Sequence, residues 1–200
     1  ADSNTAVGGQ ALAVNTSGGS NTAVGMNAMV ANTTGAQNTA VGAYALDALT
    51  TVAECTAVGY QAMSANTTGA DGTALGYQAL LVNTTGGYNT AIGHSALAAN
   101  TTGAYNTAVA RSALLSNTTA SNNTAVGYDS LKVNTTGTYN VAVGAYSLTA
   151  NTTASHNTAV GESAGELITE GFANTMLGRA AGNATTTGDY IICIGYATDA

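Results

Sequence analysis

The sequence feature that most restricts the fold of this chain is a unit of 17 residues that recurs with no insertion or deletion. The unit begins with Asn-Thr-Ala-Val-Gly, and every interval between copies is a multiple of 17. Identical copies of this string begin at Asn4, Asn21, Asn38, Asn123 and Asn157, and degenerate copies begin at Cys55, Gly72, Asn89, Asn106, Asn140, Asn174 and Ile191. Positions in the unit are numbered 1 to 17 from this first residue. A constant count over so many units predicts coils that stack in register.

A period of 17 residues is too short for a pair of helices. It suits one coil of a β-solenoid made of two short strands and two turns. We therefore predict an all-β fold, a parallel β-roll with one coil per repeat. Residues 4–161 would form regular coils, residues 162–200 divergent coils that act as a cap, and residues 1–3 the N-terminal end.

The divergent units change the usual apolar pattern. Gly165 and Gly182 replace the Leu or Met of the other units, and the apolar residues move to Leu167 and Ile168. A solenoid needs a terminal coil that differs from the rest, because otherwise it would stack without limit. We interpret this part as a variant or capping region.

Alternation along the first strand predicts which residues share a face. Successive side chains point to opposite faces, so Thr and Val at positions 2 and 4 point one way and Ala and Gly at positions 3 and 5 the other. Position 4 is apolar in every unit, which predicts a buried column: Val7, Val24, Val41, Val58, Leu75, Ile92, Val109, Val126, Val143, Val160, Leu177 and Ile194. Position 9 supplies a second apolar column, expected to meet the first inside the coil: Leu12, Met29, Leu46, Met63, Leu80, Leu97, Leu114, Leu131 and Leu148.

The face of small residues needs its own explanation, because Ala and Gly are poor strand formers that allow close approach of another backbone. A coil holding little more than one Val and one Leu gains about 25 cal/mol per Å² of buried apolar surface. Ordering each residue costs about 1–2 kcal/mol of backbone entropy, so association along the small face would offset a deficit. We predict a homo-oligomer whose interface contains Ala23, Gly25, Ala91 and Gly93.

The recurring segment Asn-Thr-Thr-Gly predicts a turn in each coil, since Asn and Gly adopt left-handed conformations and Thr hydroxyls bond local backbone. It begins at Asn32, Asn66, Asn83, Asn100 and Asn134. The same pattern is formally an N-glycosylation acceptor. Turn chemistry and stacked Asn ladders explain its recurrence at one corner of the coil.

Composition excludes several classes of partner. Charged residues make up 6% of the chain, and its only fixed cations are Arg111, Lys132 and Arg179, so no nucleic-acid partner is expected. No run of about 18 apolar residues is present, so no membrane insertion is expected. Two cysteines, Cys55 and Cys193, cannot build a disulfide framework or a four-ligand metal site.

No catalytic residue, cofactor or metal ligand is predicted, and the chain is not expected to be an enzyme. His94 and His156 lie at different repeat positions more than three coils apart, which at about 4.8 Å per coil is too far for a shared metal or proton relay. Glu162, Glu166 and Glu170 have a spacing that aligns only on a helix, so they are interpreted as a solvated rim, with weak Ca²⁺ binding as the alternative.

Position 6 varies from unit to unit, which marks it as a surface column. Its candidate ligand-binding residues are Tyr60, Tyr77, His94, Arg111 and Tyr128, and a second aromatic group at position 17 consists of Tyr88, Tyr105, Tyr139 and Tyr190. Aromatic rings arrayed along a rod can stack on the sugar rings of a receptor glycan. The alternative is that they cover coil edges or a neighbouring chain.

The unit Asn-Thr-Ala-Val-Gly-x-x-Ala-Leu-x-x-Asn-Thr-Thr-Gly resembles the head repeats of bacteriophage tail-fibre proteins. More distantly, it resembles the left-handed β-roll heads of trimeric autotransporter adhesins, which use a shorter unit similar to residues 38–42. The resemblance extends from Asn4 to about Gly195. It implies a left-handed, trimeric, extracellular or virion-borne fibre that touches a host surface.

The sequence thus favours a structural and adhesive segment of a viral tail fibre, with a host glycan or receptor as partner. A bacterial surface adhesin or extracellular filament is the alternative. An ice-binding β-solenoid belongs to a different class, and the regular Thr at position 2 favours it. The apolar column at position 4 of the same face argues against ice binding, because we expect that column to be buried. A glycan depolymerase ranks last, since no paired carboxylates share a face.

Overall fold

The computed structural model describes residues 3–197, which form twelve short strands and no helix. Each strand pairs in parallel with the next one along the chain, so the sheet order equals the chain order. The strands are Thr5–Val7 (β1), Thr22–Val24 (β2), Thr39–Val41 (β3), Thr56–Val58 (β4), Thr73–Leu75 (β5), Thr90–Ile92 (β6), Thr107–Val109 (β7), Thr124–Val126 (β8), Val141–Val143 (β9), Thr158–Val160 (β10), Thr175–Leu177 (β11) and Ile192–Ile194 (β12). Residues 1 and 2 of the predicted N-terminal end and residues 198–200 of the predicted cap lie outside the described residues.

The predicted β-solenoid is confirmed. Thr5 pairs with Thr22 and Thr175 pairs with Ile192, a constant offset of one repeat that continues through the divergent region. A coil is numbered here after the strand that it contains. The prediction of two strands per coil is wrong, because the second apolar segment is a turn. Its Leu or Met at position 9 has a φ of 47° to 53° in the coils that carry these residues, and a left-handed residue ends the alternation of a strand.

The two faces of the strand are reversed relative to the prediction from alternation. The central Ala of the strand points inward and is fully buried from β2 to β10, as at Ala40 and Ala125. The position-4 column lies on the outer face, where eight of the twelve residues are half-buried and four are exposed, among them Val7 at 58% and Leu75 at 47%. The prediction that this column is buried is therefore wrong for the single chain.

The physical reason for the reversal is the small cross-section of the coil. Its interior already holds the Leu or Met of position 9, which is fully buried from Met29 to Leu148 as predicted, and the Ala or Ser of position 8. Only a methyl group fits opposite them, so the branched Val points outward.

The predicted oligomer interface needs the same correction. Ala23 and Ala91 are fully buried inside their own chain and offer no surface to a second one. Gly25 and Gly93 both have a φ of +135°, and a Cβ on Gly25 would lie 2.5 Å from the carbonyl oxygen of Gly42 in the next coil. These glycines are explained by close approach of coils within one chain.

Asn side chains extend the hydrogen bonding beyond the three-residue strands. At position 1, Asn21 donates through Nδ2 to the carbonyl of Gly35 at 2.8 Å, while its Oδ1 accepts from the backbone N–H of Asn38 at 2.9 Å. At position 12, Asn83 donates to the carbonyl of Gly86 at 2.9 Å and to Oδ1 of Asn66 at 3.1 Å. These two ladders satisfy most of the polar groups that they bury and fix the register of adjacent coils. The exceptions are the Oδ1 atoms of Asn32 and Asn151, which have no partner because the next coil carries Leu49 or Ile168 at position 12.

Departures from the repeat compensate one another in volume. Met176 replaces the usual Ala at position 3, and its side chain fills the space that Gly182 leaves at position 9. Ile168, fully buried at position 12, likewise packs beside Gly165. The prediction that Ile168 takes over the apolar role is confirmed, whereas the same prediction for Leu167 is wrong because that side chain is 47% exposed.

Exchange of Ala110 for Gly should stabilise the solenoid. Ala110 has a φ of 108° at position 5, where the glycines of the other coils have values from 126° to 143°. Relief of this strain should raise the free energy of unfolding by about 1 kcal/mol, even after the greater chain entropy of Gly. Thermal melts followed by circular dichroism measure the change in stability. Ala108→Gly is the control, because it removes a buried methyl group and should destabilise the solenoid. Destabilisation by both changes would contradict the assignment of strain.

The pair Met176 and Gly182 should show strong coupling. Met176→Ala alone should leave a cavity that costs about 2–5 kcal/mol, and Gly182→Leu alone should overpack the coil at a cost of about 1–3 kcal/mol. The double variant recreates the residues of a regular coil, so most of the loss should be recovered. Denaturant unfolding of the four proteins measures the coupling, and additive losses would show that the two side chains do not share one space.

Ala125→Asp should damage the solenoid far more than Val126→Asp. An unpaired carboxylate at Ala125 would lie among buried methyl groups and cost several kcal/mol, whereas at Val126 it would reach water and cost about 1 kcal/mol or less. Far-ultraviolet circular dichroism at protein concentrations too low for association measures the loss. If Val126→Asp were the more damaging exchange, the Val column would be buried as the sequence predicted.

Candidate functional site

The outer surface of the sheet is formed by positions 2 and 4 and is called here the Thr/Val face. It carries Thr at position 2 except for Val141 and Ile192, and Val, Leu or Ile at position 4. Neither column contains a charged residue. Eleven steps of about 4.8 Å make the face roughly 53 Å long.

The Thr hydroxyls of this face have no hydrogen-bond partner in the protein. Thr90 and Thr107 at position 2 illustrate the pattern, since none of the side-chain hydrogen bonds of the described coils involves them. By contrast, the Thr at position 13 bonds to the next coil, as Thr84 Oγ1 does to the carbonyl of Thr101 at 3.0 Å. The Thr/Val face is thus apolar between regularly spaced, unsatisfied hydroxyl groups.

The predicted ligand residues of position 6 form a column of mutual contacts. Tyr60 stacks on Tyr77 with ring centroids 5.5 Å apart, and Tyr77 stacks on His94 at 4.9 Å. Arg111 lies over the ring of Tyr128 at 5.6 Å. Tyr60 and His94 cover both faces of Tyr77, so that ring presents its edge rather than a face to a ligand.

Two aromatic residues of position 7 join this column and were missed from the sequence. Tyr44 packs edge-on against Tyr60 at 6.1 Å, and Tyr146 packs edge-on against Tyr128 at 5.3 Å. The only sign of these two residues in the sequence is that they directly follow the variable position 6.

The second aromatic column, at position 17, is interrupted. Tyr88 and Tyr105 are stacked at 4.9 Å with an interplanar angle of 3°, and Tyr139 and His156 are stacked at 5.1 Å with an angle of 7°. Asn122 occupies the coil between the two pairs. Three of the four predicted tyrosines thus form a ladder with His156 as an additional member and with one rung, Asn122, that lacks a ring. The fourth, Tyr190, lies beyond Ala173 and packs edge-on against Phe172.

The acceptors within the Asn-Thr-Thr-Gly segments are not accessible in the folded chain. Asn32, Asn66, Asn83, Asn100 and Asn134 are fully buried, and each Nδ2 atom donates hydrogen bonds inside the solenoid. A glycosylating enzyme needs the Nδ2 atom free and exposed, so modification would require an unfolded coil.

The candidate reactive groups are dispersed. Cys55 is buried, and desolvation raises the pKa of its thiol, which keeps it protonated and unreactive at neutral pH. Glu162 pairs with Arg179 at 2.9 Å. Within residues 3–197, no three His, Cys, Asp or Glu side chains gather into a group that could hold a metal ion, and no helix is long and apolar enough to cross a bilayer.

The fold and its surface columns define the class of this chain as a parallel β-solenoid repeat protein. No protein-family model, curated protein or solved structure matches it.

Proposed function

We propose that the chain is a structural and adhesive segment of a fibre, in which copies of the solenoid associate through the Thr/Val face. The observation that carries this proposal is the partly exposed, uncharged Thr/Val face that runs along the solenoid. The resemblance of the repeats favours a viral tail fibre that contacts a host glycan or receptor. A bacterial surface adhesin or extracellular filament is the alternative, and in it too copies of the chain would associate through the Thr/Val face.

The size of the face supports association. Twelve strands of three residues, at about 4.8 Å between strands and 3.3 Å per residue, give roughly 600 Å² on each chain. Contiguous apolar patches on soluble monomers rarely exceed a few hundred Å² unless they bind something. Burial of this face on two chains, roughly 1,200 Å² in total, reaches the lower limit of specific protein interfaces.

The chemistry of the face supports a second copy as the partner. The face lacks charge, so identical faces do not repel one another. Three such rods can direct their faces to a common axis, where Val packs and the Thr hydroxyls can pair with one another. A trimer with left-handed coils is the form that the resemblance to tail-fibre and adhesin heads favours.

Ice binding is the second candidate function. The sequence-based objection to it was the expected burial of the Val column, and that column lies on the outer face beside unpaired Thr hydroxyls. A regular array of hydroxyl and methyl groups on a flat, rigid face is suited to holding ordered water. Ice binding requires a free Thr/Val face, whereas the fibre proposal requires a covered one, so oligomeric state separates them.

Light scattering of the isolated chain should give the mass of a trimer, and Val109→Lys should convert it to a monomer. Three ammonium groups would meet near the common axis in an apolar interface, which should weaken association by several kcal/mol. Circular dichroism should show an intact solenoid, because Val109 points outward. Val133→Lys, the same exchange at half-buried position 11, is the control and should remain a trimer.

A wild-type chain that stays monomeric would contradict the fibre proposal. If that monomer also produced thermal hysteresis in a freezing assay, the ice-binding function would replace it.

A further inference from the structure

The ladder of position 17 is interrupted between Tyr105 and Tyr139, where Asn122 takes the place of a ring, and this gap is called here the slot. The two tyrosines occupy the same position two coils apart, which places them roughly 9.6 Å apart along the axis at about 4.8 Å per coil. The intervening residue, Asn122, has a φ of 61°, close to the 59° of Tyr105 and the 57° of Tyr139. The backbone therefore continues unchanged, and only the ring is missing.

One ring inserted into this slot would continue the ladder. It would lie about 4.8 Å from each tyrosine, within the range of favourable ring contacts and similar to the 4.9 Å and 5.1 Å of the neighbouring stacked pairs. Within residues 3–197, Tyr105 stacks only on Tyr88 and Tyr139 only on His156, so the ring faces that the two tyrosines turn toward coil 7 have no aromatic partner. Both tyrosines are more than half exposed, at 59% and 55%.

The polar groups of the slot suit a hydroxylated ligand. The side-chain amide of Asn122 is exposed and takes part in none of the hydrogen bonds of the described coils, while its backbone N–H donates to the carbonyl of Ala104 at 3.1 Å. The amide thus offers donors and an acceptor at the base of the slot. None of the three residues is an Asp, Glu, Lys, Arg or His, and the net charge of −7 disfavours anionic ligands.

We propose that this slot, formed by Tyr105, Asn122 and Tyr139, binds one neutral pyranose ring of a surface glycan. The two tyrosines contact opposite faces of the sugar through its C–H groups, and Asn122 bonds its ring hydroxyls. A pyranose is thicker than an aromatic ring because its carbons carry axial hydrogens, which suits a gap of two full coil steps. The choice of a glycan rests on the proposed host-contact function, whereas the slot itself rests on the ladder geometry.

Asn122→Tyr is the sharpest test, because it fills the missing rung with the residue that the same position carries in other coils. The full chain is titrated with methyl glycosides of glucose, galactose, mannose and N-acetylglucosamine while the NMR signals of the tyrosine rings are followed. At least one glycoside should shift the Tyr105 and Tyr139 signals at millimolar concentration. Asn122→Tyr should abolish this response, and Tyr105→Ala should weaken binding about threefold to tenfold through the loss of one stacking face.

Asn27→Tyr provides a matched control, since it makes the same exchange at position 7, where coils 3 and 9 already carry tyrosine. It should bind the glycoside as the wild type does. The slot proposal would be overturned if glycoside binding survived Asn122→Tyr or if no glycoside of the panel gave a response. Neither result would bear on the fibre proposal, which is tested separately by the mass of the oligomer. Benzyl alcohol that binds in the slot as tightly as the best glycoside would overturn the choice of a sugar.

Light scattering of Asn122→Tyr provides the last criterion. An unchanged mass supports a slot that is free for a ligand. Dissociation of the oligomer would mean that a side chain of a second copy fills the slot, which would also overturn the proposal.

Discussion

The hydrogen bonds between successive coils are the interaction on which the rest of this structure depends. A three-residue strand supplies few of them, and the buried Asn ladders of positions 1 and 12 supply more wherever successive coils both carry Asn. Such a bond requires that the two coils stay in register, so the repeat tolerates exchanges of side chain but no change of count. The narrow interior, the outward Val column and the stacked aromatic rings all follow from this fixed register.

The sequence allowed the fold to be predicted more accurately than the orientation of its strands. The constant interval of 17 indicated stacked coils, and the apolar character of position 9 correctly placed Leu46 or Leu97 inside. The Val column was misassigned because size and hydrophobicity were taken as signs of burial. In a coil this thin the interior accepts a methyl group at that point, and Val lies outside. The missing second strand has a local cause, the left-handed conformation of position 9, which Leu and Met do not usually adopt.

The surface was predictable as a set of columns but not as a set of contacts. Counting in units of 17 groups Tyr60 with Tyr77 and Tyr105 with Tyr139. It does not reveal that the first pair covers its own ring faces while the second leaves faces open across Asn122. The difference arises from neighbours one coil away, which are distant in sequence and adjacent in space. A ligand site on a solenoid is therefore defined by what occupies the next coil.

The constant repeat count also bears on how such a rod changes during evolution. Recombination between two units that removes or adds 17 residues leaves every column aligned, so length can vary by whole coils with no effect on cross-section. A unit gained or lost on one side of a gap such as that at Asn122 then moves the gap by about 4.8 Å relative to the end on that side. Copy number alone would thus set how far from either end a solenoid of this type presents a given surface feature, without any new folding problem for the chain to solve.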